Sequence, residues 1–69
     1  MALSYLARDL VPGDVIEKWH QNWTVREVEF RSIKYDNSWR IFITHDQRKV
    51  ILVVSGDEEF LVIHPASRK

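Results

Sequence analysis

The 69-residue chain has no cysteine, only two glycines and two prolines, and one methionine. The missing cysteine excludes disulfides and thiolate metal ligands. With glycine only at Gly13 and Gly56, no glycine-rich loop is available to cradle a phosphate. No apolar run approaches the ~18–20 residues of a membrane-spanning helix. Met1–Leu6 has neither the basic flank nor the long apolar core of a secretory signal. The expectation is a soluble, cytoplasmic protein with no membrane partner. Net charge is missing too, with 10 Lys and Arg against 10 Asp and Glu. That balance weakens general attraction to phosphate backbones and lowers the repulsion between copies.

Aromatic residues are well supplied. Three Trp, three Phe and two Tyr serve a chain with room for a single domain. Each can bury roughly 150–250 Å², enough to give a small core density without covalent staples. The apolar residues mostly alternate, as strands require. Val15–Trp19, Trp23–Ile33, Trp39–Thr44, Lys49–Val54 and Glu59–His64 read as five strands. The longest carries one break in its rhythm. Trp23 and Val25 are two apart, Val28 and Phe30 are two apart, but Val25 and Val28 are three apart. One extra residue at Arg26-Glu27 would keep all four on one face, which is the pattern of a β-bulge. A strand bent there can serve two sides of a small closed sheet. Val11-Pro12-Gly13-Asp14 reads as a type II turn, with Pro presetting the second position and Gly supplying positive φ at the third. Leu3, Leu6, Ala7 and Leu10 recur at helical spacing behind Ser4, suggesting a short helical turn. Residues 66–69 read as a polar, mobile tail. The fold expectation is all-β: one domain over residues 1–69, with a five-stranded small barrel over 10–65 behind an N-terminal segment 1–9.

The run Leu10-Val11-Pro12-Gly13-Asp14-Val15-Ile16, then Trp23-Thr24-Val25-Arg26-Glu27-Val28, then two hairpins ending in Phe60-Leu61-Val62-Ile63, resembles short SH3-like barrels found in bacterial and phage proteins. The resemblance implies a binding module, since such barrels take peptides, modified lysines, nucleic acid or other proteins. The chain departs from proline-peptide binders in lacking their acidic loop and paired tyrosines. It departs from ribosomal KOW elements in lacking their turn glycine.

Chemistry-bearing constellations are scarce. His20, His45 and His64 match no metal spacing and read as surface residues. Asp57-Glu58-Glu59 clusters at a solvated loop tip, where carboxylates need not perturb one another. No serine sits in a nucleophile elbow, and a chain this short leaves little room for a ligand pocket of ~300 Å³. The chain is therefore read as a non-enzyme with no cofactor, no metal and no small-molecule substrate. Two binding surfaces remain. Lys49–Val54 and Glu59–His64 are apolar on both faces, which requires cover on both sides. If Leu3–Leu10 does not supply the second cover, Ile51, Val53, Leu61 and Ile63, with Phe42 nearby, form an exposed patch for a protein partner or a homodimer. The alternative is nucleic acid, held by Arg26, Arg31, Lys34, Arg40 and Lys49 with Tyr35 among the stacking aromatics.

Overall fold

A computed structural model describes residues 3–34 and 36–67 of the chain. Six antiparallel strands form one sheet: β1 (Leu3–Leu6), β2 (Val15–Lys18), β3 (Gln21–Ile33), β4 (Asp36–His45), β5 (Arg48–Val54) and β6 (Glu59–His64). A single 3₁₀ turn, Ala7–Asp9, is the only helical element among the described residues. No helix there is long and apolar enough to cross a membrane.

The spatial order is β1-β6-β2-β3-β4-β5. Two expectations are corrected by this order. The sheet has six strands, and it is open, with β1 and β5 as its two edges. The sixth strand is Leu3–Leu6, which pairs with β6, Leu3 opposite Val62 and Leu6 opposite Glu59. Helical spacing was a poor guide there because the next residues, Ala7 and Leu10, fall in and just after a tight 3₁₀ turn that aims both into the core. The turn is tied by Ala7 N–H donating to the Glu58 carbonyl at 2.7 Å. The Arg8–Asp57 ion pair beside it is exposed and adds little.

The bulge in β3 is present. Val25 pairs with Ile43, Glu27 with Phe42 and Val28 with Ile41, so Arg26 is the extra residue. β2 pairs with Gln21–Thr24 and β4 with β3 from Thr24 onward, so the two ladders overlap at Thr24, and after the bulge β4 alone flanks β3. The bend lets one strand serve both halves of the curved sheet. A second irregularity, between Val15 and Ile16 in β2, carries no such sequence signal.

The concave face holds the core: Ala7, Leu10, Ile16, Trp23, Val25, Ile41, Ile43, Leu52, Phe60 and Val62, with Tyr5, Val28, Val50 and Val54 packed against it. Trp23 and Val25 are buried as expected; Phe30 is not, at 54% exposed. It shares the parity of Val28 but lies on an arm of the β3–β4 hairpin that runs past β2, whose ladder on β3 stops at Thr24. There its ring meets Trp39, centroids 5.0 Å apart.

The Pro12-Gly13 turn forms as expected, with Gly13 at φ +100° and Asp14 N–H donating to the Val11 carbonyl at 3.2 Å. Asp14 is fully buried. Its carboxylate accepts the N–H of Val11 at 3.0 Å and the N–H of Ala66 at 2.7 Å. Its carbonyl accepts from Val25 N–H, and Gly13 N–H donates to the Val25 carbonyl, both just before the bulge. One side chain thus joins the first turn to the C-terminal segment, next to the bend. Ala66, the first residue of the expected polar tail, is thus tied to the first turn by its N–H.

Candidate contact surface

The convex face of β3, β4 and β5 is set by register. Glu27 lies opposite Phe42, and Phe42 opposite Ile51. One step along, Glu29 lies opposite Arg40, and Arg40 opposite Val53. Strand alternation sends these six side chains outward while Ile41, Ile43, Val50, Leu52 and Val54 turn to the core. Ile51 is 56% exposed and Val53 62%. The N-terminal segment does not cover them, because it went to the opposite edge as β1.

The strand order divides the expected apolar patch in two. β5 and β6 are consecutive in sequence, but β6 crosses to pair with β1 and β2. Ile51 and Val53 therefore sit beside Phe42, whereas Leu61, 42% exposed, sits between Ser4 and Glu17. Ile63 is half-buried on the same strand. The two-strand contact hairpin is corrected to one apolar row on β5 and a separate, smaller one on β6.

The bulge also shapes a hollow of about 430 Å³, lined by Arg26, Glu27, Phe42, Thr44, Lys49 and Ile51 among others. This is larger than the chain length suggested. It brings Arg26 and Lys49 to the rim of the same apolar floor. Among the described residues neither makes an ion pair. Of the other basic candidates, Arg40 lies half-buried between Glu29 and Val53, while Arg31 and Lys34 lie out along the β3–β4 arm. Tyr35 lies outside the described residues. The basic candidates are thus spread over the length of the arm and interleaved with Glu27 and Glu29.

The connection between β2 and β3, expected as a polar loop over His20-Gln21-Asn22 after a strand ending at Trp19, is tighter and lies one residue earlier. Lys18 pairs with Gln21, leaving Trp19-His20 as a two-residue loop. Both carry positive φ, 51° and 62°. Such loops usually use Asn-Gly because a Cβ is strained in that region. Trp19 is exposed and set edge-on to Trp23, centroids 5.7 Å apart. Trp23 donates its indole N–H to the Lys18 carbonyl at 3.0 Å, and the Lys18 ammonium lies over the Trp19 and Phe60 rings. His45 lies against Trp23, its Nδ1–H donating to the Asn22 carbonyl at 2.7 Å. A loop without glycine gave no sequence signal for so tight a turn.

Among the described residues no cluster of His, Asp and Glu is arranged to hold a metal. Comparison with protein-family models, with curated proteins and with solved structures yields no match.

Proposed function

We propose that the chain is a non-enzymatic binding module with an SH3-like strand plan, and that it contacts protein through the convex face of β3–β5 around Phe42, Ile51 and Val53. The observation that carries this reading is that Ile51 and Val53 are exposed side by side on an edge strand, next to Phe42. Single exposed apolar residues are ordinary; a row of them on a strand with a free edge marks an interaction surface. Arg40, Glu27, Glu29 and Lys49 around the row supply the polar rim that protein contacts have.

The test compares capture by immobilised wild-type protein from an extract of its own source with capture by two double variants, Ile51→Ser/Val53→Ser and Leu61→Ser/Ile63→Ser. A protein held by wild type and by the β6 variant, but lost by the folded β5 variant, supports the reading. Capture that ignores the β5 changes refutes it. Nucleic acid is the second reading, favoured by Arg26 and Lys49 sharing one hollow. It requires a binding constant whose logarithm falls linearly with log salt, with a slope of about one per phosphate contacted.

A further inference from the structure

The proposed contact surface lies on a strand whose outer edge pairs with no described strand. β5 is the last strand in the order, seven residues long, bonded to β4 on one side only. Its ladder with β4 runs without a register shift. It contains no proline and no bulge, and its charged residues, Arg48 and Lys49, are confined to the first two positions. The usual guards of an edge strand are therefore missing from Val50 to Val54. The other edge, β1, is four residues long and ends at a 3₁₀ turn.

We propose, resting on the protein-contact reading above, that the occupant of this edge is a second copy of the chain. β5 pairs antiparallel with β5 of its twin about a two-fold axis through Ile51. The register follows from symmetry and sequence. A two-fold axis normal to the sheet must pass through a residue paired with itself, because successive side chains face opposite ways. Centring on Ile51 pairs all seven residues of the strand. Centring on Val50 or Leu52 leaves the ends of the strand hanging beyond it.

Charge agrees with that choice. Arg48 falls opposite Val54 of the twin, and Lys49 opposite Val53. No like charges face each other, which would be destabilising. The two Lys49 residues lie four positions apart along the ladder, about 13 Å at ~3.3 Å per residue, beyond the ~8 Å screening length of physiological salt. On the convex face the centre reads Phe42, Ile51, Ile51, Phe42 across four strands, one continuous apolar row from one copy to the other. The row with Arg40 continues as Val53 and then the twin's Lys49, whose methylene stem covers the valine. Zero net charge on each copy leaves no long-range repulsion to overcome.

The absence of native cysteine makes the register directly readable. In an antiparallel pair, directly opposed Cα atoms lie ~4.5–5.5 Å apart, within disulfide reach. Ile51→Cys should therefore oxidise to a covalent dimer, and Lys49→Cys/Val53→Cys to a doubly bridged one. Val53→Cys alone should not, because its twin lies about 13 Å away against a ~7 Å limit. Sedimentation equilibrium supplies a non-covalent reading, with wild type rising above its 8.2 kDa monomer mass as concentration increases. Ile51→Asp should weaken that association at least roughly tenfold, since each carboxylate would face its twin. Equal cross-linking of the Ile51→Cys and Val53→Cys chains, or a wild type that stays monomeric up to about 500 μM, would overturn the proposal. If β5-dependent capture of another protein survived that result, the contact surface would stand and only its occupant would be wrong. Loss of both would remove the surface itself.

Discussion

Asp14 gives the sharpest prediction about stability. Its carboxylate is fully buried and accepts the N–H groups of Val11 and Ala66. Replacing it by alanine removes both acceptors and leaves two backbone donors to find water. Hydrogen bonds to a charged group contribute ~1.5–3 kcal/mol each, and orphaned buried donors cost a similar amount. Two such bonds, with some recovery by water at the C-terminal segment, put the loss at about 3–5 kcal/mol. A domain of this size holds ~3–10 kcal/mol in total, so Asp14→Ala should be largely unfolded at the warm end of the physiological range. Asp14→Asn keeps the shape but turns an amide NH₂ toward one of the two donors, and should lose about 1.5–3 kcal/mol. Urea titration followed by tryptophan fluorescence measures both, with Trp23, buried in the first half of β3, as a reporter. The order Ala worse than Asn worse than wild type, at an unchanged denaturant slope, is expected. If both variants fell within ~0.5 kcal/mol of wild type, the range of ordinary surface changes, the carboxylate would not be the tie described.

Other perturbations separate core from surface. Ile41→Ala should cost about 2–5 kcal/mol through the cavity it leaves, whereas Ile51→Ser should stay within ~0.5 kcal/mol, both read by the same titration. Gly56→Ala should lower the thermal midpoint, because an added Cβ would lie 2.7 Å from Nε1 of Trp39 and push that indole from its place; near-ultraviolet circular dichroism should report the shift. His20→Gly should stabilise by about 0.5–1 kcal/mol, since it relieves positive φ in a loop without removing a described hydrogen bond.

The residues that could be read from sequence are those whose signal is local. The three-residue step from Val25 to Val28 located the bulge, because a face change in a half-buried strand has few other meanings. The Pro12-Gly13 pair located its turn for the same reason. Strand faces on β4 followed from simple alternation, and Ile41 and Ile43 are buried while Arg40 and Phe42 look outward. What stayed hidden was set by distant parts of the chain. Leu3–Leu6 has no strand pattern of its own and becomes one by joining the free side of β6. Ser55–Glu58 reads as a hairpin loop, yet it carries the chain away from β5, so that Leu52 and Phe60 share one core without being ladder neighbours. That one crossover divided the candidate patch, leaving Ile51 and Val53 with Phe42 and sending Leu61 and Ile63 elsewhere. Phe30 shows the limit of parity: it points to the correct face at a place where the sheet no longer has a core to cover it.

The account rests on β5 being the working edge of the molecule. An amide-resolved NMR dilution series, from about 10 μM to about 1 mM to span weak association, tests that most directly. Concentration-dependent shifts should gather on Arg48–Val54 and on Arg40 and Phe42 beside them, leave Leu61 and Ile63 unmoved, and vanish in Ile51→Asp. A spectrum unchanged across the series, or shifts centred on β1 and β6, would contradict it.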